Sequence, residues 1–435
     1  MEAMGLLPCA PWVLLGAAIL GGSVARAGAE GSAVTVEVRG DAGAYALYRG
    51  GEPYAVRGAG VQGAAGLASL ARHGGNSVRT WAVGDGSILD RAHGLGMTVA
   101  LCLDLERERH GFDYDDTEAV KRQFERARRA VLAHRDHPAL LFWIIGNELN
   151  HDFTNPRVYD AVNDISRMIH ALDPQHPTTT ATAGIDPTLA RVLETRAPDL
   201  DFLSVQVYGG LAGLPTALAE ASLEWPVMVT EWGTIGHWEV PHTPWGAPIE
   251  PTSTAKAQRY REGYEQVIAP GGQFIGSYAF LWGQKQERTP TWYGVFATDG
   301  RRTETVDVLQ RVWTGAWPLN RAPRLLDLTL DGRRATDHVR LRAGATYAAS
   351  VEARDPEDDL LGFDWVLMRE SEATQSGGDA ETVPDRVALT SVRRGAGQID
   401  LLAPEEPGAY RLFVYVGDGR GAVAHANLPF LVVGG

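Results

Sequence analysis

The chain has 435 residues and a net charge of −14. This length exceeds one ordinary compact domain, but a single α/β barrel takes up about 250 residues, which leaves room for a smaller second domain. Because nucleic acids are bound through clustered lysines and arginines, the acidic balance argues against a nucleic-acid partner. The sequence favours neutral or weakly charged partners.

Residues 1–27 are typical of a secretory signal peptide. The apolar run PWVLLGAAILGG has the length of such signals, and Ala25 and Ala27 follow it in a cleavage-site pattern. The usual positive residues ahead of the run are missing, and an N-terminal membrane anchor is the alternative, although the run is short for a span. We expect a secreted or periplasmic protein with no membrane span after signal removal. Cys102 would then be the remaining cysteine, in an apolar run typical of a buried core.

A regular alternation of strands and helices is predicted over residues 54–318, after a few short strands in residues 28–53. Its strand-like runs, each followed by a helical segment, are YAVRGAGV, NSVRTW, MTVALCLDL, LLFWIIGNE, TTTATA, DFLSVQVYG, PVMVTEWG and QFIGSYAFLWG. Strands that are apolar on both faces belong in a parallel sheet covered by helices. Eight such units predict a (β/α)8 TIM barrel, an α/β fold.

The remainder of the chain, residues 323–435, has no helical periodicity. It contains about seven strand-like runs separated by turn residues, which predicts a smaller all-β, immunoglobulin-like sandwich. Trp365 is expected to be its central core aromatic, and Tyr410 is placed as in a tyrosine corner. The segment TQSGGDAETVPD (residues 374–385) is expected to be a flexible loop. Since no aromatic platform is visible, a supporting role for the sandwich is favoured over polysaccharide binding.

Two glutamates stand at the ends of predicted barrel strands. Glu148 follows the fourth apolar strand together with Asn147, and Glu231 ends the seventh. Active sites of such barrels are built at the C-terminal ends of the strands, and these two strands lie on opposite sides of the barrel axis. Paired carboxylates that face each other across a cleft are what the cleavage of glycosidic bonds requires. For either glutamate alone, an exposed or arginine-paired strand end is the alternative.

The same segments carry a family resemblance. WIIGNELN and VMVTEWG resemble the acid/base and nucleophile segments of the retaining glycoside hydrolases of clan A, most closely the TIM-barrel catalytic domain of glycoside hydrolase family 2, with support from GGNSVRTW and FLWGQK. The resemblance implies that Glu148 is the general acid/base and Glu231 the nucleophile of a double displacement, with carboxyl groups about 5–5.5 Å apart. One departure is Gln206, where some clan members have a histidine. A sandwich after the barrel is similar to some bacterial β-1,3-glucanases of the clan.

Four further residues are expected to bind substrate or the nucleophile. Arg79, at the end of the second strand, would hold Glu231 ionised, and Asn147 would hydrogen-bond the sugar 2-hydroxyl. Tyr208 would donate to the nucleophile, and Trp282, after the eighth strand, would offer a flat apolar face to the sugar ring. Core packing is the alternative for Tyr208 and Trp282.

Long loops at the same end of the barrel carry Trp238, Trp245 and Trp292. Exposed aromatics on such loops suit stacking along a polysaccharide, which favours an endo-acting cleft, whereas hydrophobic packing beneath the loops is the alternative. His134 and His137 have a spacing seen in metal sites but no third ligand nearby in sequence, so neither a metal nor another cofactor is expected.

The sequence thus predicts a retaining β-glycosidase that hydrolyses a polysaccharide or oligosaccharide, with an endo-acting, β-1,3-directed glucanase favoured. A β-glucan transglycosylase is one alternative, because it would use the same two glutamates. A non-catalytic carbohydrate-binding surface protein is another, and the intact Glu148, Asn147 and Glu231 count against it. The expected partner is a β-linked glycan, while the sequence leaves the oligomeric state open.

Overall fold

The structure, a computed structural model, describes residues 32–41, 43–375 and 377–434. The expected signal peptide lies outside these residues. No helix in the described ranges has the length and apolar character needed to cross a membrane.

A small antiparallel sheet precedes the barrel. Its strands are β1 (Val36–Asp41), β2 (Ala44–Arg49) and β3 (Glu52–Pro53). The Val36 amide donates to the carbonyl of Gln175 at 2.8 Å, and the Arg49 side chain donates to the carbonyl of Pro138 at 2.7 Å. Both acceptors lie just ahead of barrel strands, so the sheet covers the N-terminal end of the barrel.

Eight parallel strands close into a barrel and follow one another around it in chain order. They are β4 (Val56–Gly60), β5 (Ser77–Arg79), β6 (Thr98–Leu103), β7 (Leu140–Asn147), β8 (Thr178–Ala183), β9 (Leu203–Gln206), β10 (Val227–Trp232) and β11 (Phe274–Ala279). The surrounding helices are α1 (Leu67–Arg72), α2 (Ser87–His93), α3 (Thr117–His134), α4 (Arg157–Leu172), α5 (Pro187–Arg196), α6 (Leu214–Glu220), α7 (Ser253–Gly263) and α8 (Glu304–Thr314). The predicted TIM barrel is therefore confirmed.

The burial of the strands explains why these runs are apolar throughout. Every residue of β6 and β7 is buried, because one face of each strand fills the barrel and the other packs against helices. Phe142 and Tyr278 lie in the interior with Cys102. Burial raises the pKa of the Cys102 thiol to about 12, so this cysteine is an inert core residue, as expected.

The sandwich consists of two sheets, in the strand orders β12-β14-β18-β17 and β13-β20-β19-β15-β16. Its strands are β12 (Arg324–Leu330), β13 (Arg340–Arg342), β14 (Thr346–Arg354), β15 (Gly362–Arg369), β16 (Arg386–Val387), β17 (Ser391–Gly395), β18 (Gln398–Leu402), β19 (Gly408–Gly417) and β20 (Val423–Val433). The Tyr410 hydroxyl donates to the carbonyl of Glu406 at 2.8 Å, as a tyrosine corner requires. The predicted all-β sandwich is present.

The expected central position of Trp365 is wrong. Trp365 is only half-buried, while Tyr410 and Phe430 stack in the core with ring centroids 5.8 Å apart. The reason is the short edge strand β16, which pairs only with Leu367 and Met368. At Trp365 the edge of the sheet is therefore open.

A buried polar network joins the barrel to the sandwich. Glu250, ahead of α7, forms an ion pair with Lys256 and accepts a hydrogen bond of 2.5 Å from Asn427 of β20. Arg411 of β19 donates to the carbonyl of Pro248 at 2.9 Å and to Asn427 at 2.7 Å. The side chains of Glu250 and Lys256 are nearly inaccessible to water, so the network holds the two parts in one defined arrangement.

Candidate active site

The strands that carry the two glutamates are both irregular near those residues. The pairing of β7 with β8 shifts between Ile144 and Asn147, and Gly146 has φ +76° while Glu148 has φ +51°. The pairing of β10 with β9 shifts between Val229 and Glu231. Such bulges bend a strand and redirect its side chains, and they are common beside active sites. Here they turn Glu148 and Glu231 into the same cavity at the C-terminal end of the barrel.

Glu231 is held by three donors at or just beyond the ends of other barrel strands. Arg79 forms an ion pair with its Oε1 atom, and Trp81 Nε1 donates to the same oxygen at 2.7 Å. The Tyr208 hydroxyl donates to Oε2 at 2.8 Å. Burial and the charge of Glu231 raise the pKa of Tyr208 well above its usual range, so the phenol stays protonated and remains a donor. These contacts reach both oxygens of Glu231 and fix the orientation of its side chain.

Asn147 is locked beside this ion pair. Its Oδ1 atom accepts from the Arg79 guanidinium and from Gln206 Nε2, the latter at 2.6 Å. Gln206 occupies the position at which some clan members have a histidine. Its side chain fixes the amide of Asn147. Since the oxygen already has two donors, the NH₂ group of Asn147 is the part that can bond a sugar hydroxyl.

Glu148 has a different environment. The side chain is half-buried and lines the cavity. Burial, followed by the negative charge of Glu231, raises its pKa to about 8. Glu148 is therefore protonated at neutral pH. A neutral carboxyl and a donor-bound carboxylate in one cavity form the arrangement needed by a general acid and a nucleophile.

The cavity has a volume of about 350 Å³. Besides the two glutamates it contains the charged side chains Arg107, Arg109, Lys285, Glu287 and Asp379. Its aromatic lining consists of Trp81, Tyr208, Trp238, Phe280 and Tyr293. This volume lies at the lower end of the range for ligand sites, about 300–1,000 Å³. Aromatic faces beside hydrogen-bonding groups suit a sugar, which is apolar on its ring faces and polar at its edge.

The structure brings one of the four sequence-predicted tryptophans to the cavity. Trp238 lines it, is 56% exposed, and packs edge-on against Tyr208 at 5.9 Å. Trp282 is only 3% exposed and stacks on Trp313 of α8, so the expected sugar platform at this position is not present. Its ring turns outward from the barrel toward the helix layer.

Trp292 and Trp245 also lie away from the cavity lining. Trp292 is fully buried, and its Nε1 donates to the carbonyl of Ile235 at 3.0 Å, which pins the loop after β10. Trp245 is half-buried near His338 of the sandwich, with ring centroids 6.5 Å apart. Trp292 therefore packs beneath a loop, which is the alternative that the sequence left open, and Trp245 lies beside the sandwich.

Sequence reasoning missed several residues of the cavity. Trp81 lies two residues beyond Arg79 in NSVRTW, and the alternation of side chains along a strand could have indicated that both face the mouth. Arg107, Arg109 and Lys285 lie in loops whose path the sequence does not determine.

The segment expected to be a flexible loop also contributes to the cavity. Gly377, Gly378 and Asp379 line it, although they belong to the loop between β15 and β16 of the sandwich. Asp379 pairs with Arg109 at 2.7 Å. The sequence could not predict these contacts, because the contact partners are more than two hundred residues apart along the chain. The expected flexibility of the segment stays a prediction.

Part of the barrel matches a known family of proteins. Residues 87–233 match the glycosyl hydrolases family 2, TIM barrel domain, and this range contains Glu148 and Glu231. The chain is also similar in structure to Bacteroides uniformis β-glucuronidase 2 covalently bound to cyclophellitol-6-carboxylate aziridine, with a TM-score of 0.51 and 14% identity over 92% of this chain and 48% of that one.

Two further solved structures show the same likeness. The β-D-glucuronidase of Dictyoglomus thermophilum has a TM-score of 0.51 and 17% identity, and covers 65% of this chain and 54% of its own. A putative β-galactosidase from Bacteroides fragilis has a TM-score of 0.50 and 14% identity, with 92% and 58% covered. At these identities the likeness is one of fold, and the chain spans about half the length of these proteins.

Proposed function

We propose that this chain, in which residues 87–233 match the TIM barrel domain of family 2 glycosyl hydrolases, is a retaining β-glycosidase that acts on a β-linked glycan. The observation that carries the proposal is the pairing of a protonated Glu148 with a donor-bound Glu231 in one cavity. A double displacement needs a proton donor and a carboxyl group fixed for attack on the anomeric carbon, and this pair offers both.

In the first step, Glu231 attacks the anomeric carbon while Glu148 gives its proton to the departing glycosidic oxygen. Tyr208 and Trp81 hold one carboxylate oxygen each, which limits the rotation of Glu231 and presents it for attack. The amide of Asn147 donates to the sugar 2-hydroxyl, a contact that strengthens in the transition state.

The second step uses the coupling between the two carboxyls. The charge of Glu231 is one cause of the raised pKa of Glu148. This charge disappears when the glycosyl-enzyme ester forms, so the pKa of Glu148 falls, and Glu148 stays in the carboxylate form in which its proton donation left it. As a carboxylate, Glu148 then takes a proton from the incoming water, which releases the sugar with its original configuration.

The substrate preference is the less specific part of the proposal. A β-glucan, with β-1,3 linkage favoured, remains our first candidate from the sequence. Glucuronides and galactosides are also tested, because two of the similar structures are β-glucuronidases and a third is a putative β-galactosidase. The sequence favoured endo action, partly on the basis of Trp245 and Trp292, but neither of these residues lines the cavity, so endo action is not part of this proposal.

The test is the release of reducing sugar from β-1,3-, mixed-linkage and β-1,4-glucans, mannan and galactan, together with aryl β-glycosides of glucose, galactose and glucuronic acid. The mature protein is compared with Glu148→Gln and Glu231→Gln. Proton NMR of the first-formed product reports its anomeric configuration. We expect turnover of one substrate class with retention, and loss of turnover on the natural glycan in both variants.

Other outcomes separate the alternatives. Longer products at high acceptor concentration would indicate a transglycosylase. Binding of a polymer without turnover by a folded wild-type protein would contradict catalysis and favour the carbohydrate-binding alternative. An inverted product would refute the nucleophilic role of Glu231.

We further propose that the protein is exported, to the periplasm or beyond the cell, through its first 27 residues. The support is the apolar run followed by Ala25 and Ala27. N-terminal sequencing after expression would find a chain that begins at Gly28, and an uncleaved N-terminus would contradict the proposal.

A further inference from the structure

The loop between β15 and β16 leaves the sandwich and reaches the mouth of the barrel. Residues 377–381 of this loop are called the sandwich loop here. Its Asp379 carboxylate accepts from Arg109 at 2.7 and 3.1 Å, and lies 3.3 Å from His110 Nε2. Hydrogen bonds from Arg109 lower the pKa of Asp379, so this carboxyl is ionised at neutral pH. Arg109 and His110 follow β6, so one side of the loop is fixed to the β6–α3 segment.

The other side of the sandwich loop is fixed to the segment after β11. Lys285 Nζ donates to the carbonyl of Gly378 at 2.9 Å, and the Arg288 amide donates to Glu381 at 2.6 Å. The Glu381 side chain is only 1% exposed. Strands β6 and β11 are separated in the barrel by β4 and β5, so the loop bridges distant parts of the mouth.

The two glycines of the loop allow its backbone to form part of the cavity wall. Gly377 and Gly378 have φ +60° and +75°, a region that favours glycine. A Cβ atom at Gly377 would lie 2.9 Å from Arg109 Nη2 and 3.0 Å from the ring of His151. The backbone therefore approaches the barrel as closely as its atoms permit.

The position of the loop is set by the docking of the whole sandwich. The network of Glu250, Lys256, Asn427 and Arg411 fixes β19 and β20 against the barrel. β19 in turn pairs with β15, the strand from which the loop departs. The wall that the loop provides thus extends from strands that are bonded to the barrel.

We propose that the sandwich loop determines the specificity of the site by closing one side of the cavity, so that the site takes the end of a glycan chain and excludes its interior. This inference rests on the proposed function and deepens it. Residues 377–379 line the cavity between the β6–α3 segment and the segment after β11, where they would obstruct a glycan chain that continued past the cavity on that side. The cavity of about 350 Å³ suits a short terminal segment of glycan.

The test compares three variants with the wild type on the polymer of the panel that the wild type cuts, or on soluble β-1,3-glucan. Asp379→Ala removes the pair with Arg109, and a second variant lacks residues 377–379. Glu372→Ala is the matched control, because Glu372 lies in the same β15–β16 loop, is exposed, and does not line the cavity. Thermal unfolding checks that each variant is folded.

The readout is the loss of viscosity per reducing end released, which is low for cleavage at chain ends and high for internal cleavage. Because the pair with Arg109 fixes one side of the loop, its loss should let the loop move away from the mouth and raise this ratio about tenfold. The variant without residues 377–379 should raise it at least as much, and Glu372→Ala should keep the low ratio of the wild type.

The outcomes distinguish the inference from the function beneath it. An active wild type with a high ratio, or folded loop variants that keep the low ratio, would overturn the inference alone. The proposed function, and the inference with it, would be overturned by two results together. The wild type would cut no glycan or aryl glycoside, and the Glu231→Gln variant would not bind β-1,3-glucan oligosaccharides.

Discussion

Glu148 and Glu231 carry the same side chain in different surroundings, and the surroundings assign their roles. Glu231 accepts from Arg79, Trp81 and Tyr208, which stabilises its charge. Glu148 is governed by burial and by the nearby charge of Glu231, which favour its neutral form. The sequence indicated both glutamates because each is an ionisable group at the end of an apolar strand, where active sites of such barrels are built. The hydrogen-bond donors to Glu231 were harder to predict, since the strand end that carries Trp81 has a pattern equally typical of core packing.

The raised pKa of Glu148 predicts the alkaline limit of activity. Its acid form is present below a pH of about 8, so kcat/KM should fall as pH rises through that value. Glu148→Ala should lose about 10²–10⁴-fold on glycosides with poor leaving groups, and much less on dinitrophenyl glycosides, whose departure needs no proton. Steady-state pH profiles with both substrate types are the measurement. An unchanged alkaline limb in Glu148→Ala would contradict the assignment.

The same pKa predicts an effect on stability. Between the ordinary pKa of a glutamate, 4.5, and about 8, the folded state keeps a proton that the unfolded state releases, so stability contributed by this group falls as pH rises. Glu148→Gln removes the ionisation and should raise the melting temperature relative to wild type, by more at pH 8 than at pH 4.5. Calorimetry at both pH values gives the comparison, and an equal difference at the two would refute it.

Tyr208 is predicted to position the nucleophile through one hydrogen bond. Tyr208→Phe removes the donor to Glu231 Oε2 and should lower kcat about a hundredfold with little change in stability. Tyr293→Phe is the matched control, because Tyr293 lines the same cavity but its hydroxyl accepts from the His237 amide. Equal losses in the two variants would show that the bond to Glu231 has no special role.

At the scale of elements, the bulges in β7 and β10 position the site. A regular strand would alternate its side chains between the barrel interior and the helix layer, whereas the shifts near Asn147 and Glu231 redirect them. The apolar runs predicted the barrel strands well, because burial on both faces demands such runs. Loop geometry was not predictable in this way, and the tryptophans at 245, 282 and 292 show the consequence. An aromatic residue packs equally well beneath a loop or beside a substrate.

Gly146 is predicted to be necessary for the bend of β7. Its φ is +76°, and a Cβ atom there would lie 2.5 Å from Leu149 Cδ1. Gly146→Ala should destabilise the protein by more than the roughly 1–2 kcal/mol of a left-handed alanine, and it should also displace Glu148 and reduce activity. Gly96→Ala is the control, since Gly96 has φ +69° with open space around it. Urea unfolding and kcat of both variants test the difference.

At the scale of the whole molecule, the barrel and the sandwich act as one structure. The sequence predicted both folds, because each follows from local periodicity, but their contact depends on side chains far apart in the chain. Glu250 with Asn427 and Arg109 with Asp379 are such pairs. The supporting role first assigned to the sandwich is therefore incomplete, since one of its loops also lines the candidate site.

Lys256 is predicted to be the most sensitive member of the contact between the two parts. Lys256→Met leaves Glu250 buried without its cation and should cost about 3–5 kcal/mol of unfolding free energy. The control Arg261→Met breaks the half-exposed pair with Glu265 and should cost less than about 1 kcal/mol. Denaturant unfolding measures both, and similar costs would contradict the buried network's role.

The small N-terminal sheet lies at the end of the barrel opposite the candidate active site. Val36 and Arg49 bond to the end of the barrel opposite the glutamates. A tag, tether or resin attached ahead of Val36 would therefore hold the protein by its closed base and leave its mouth turned toward solution. Immobilised through this end, the protein should keep full access to large, insoluble polymers, whereas capture through an engineered cysteine near Trp238 would block them.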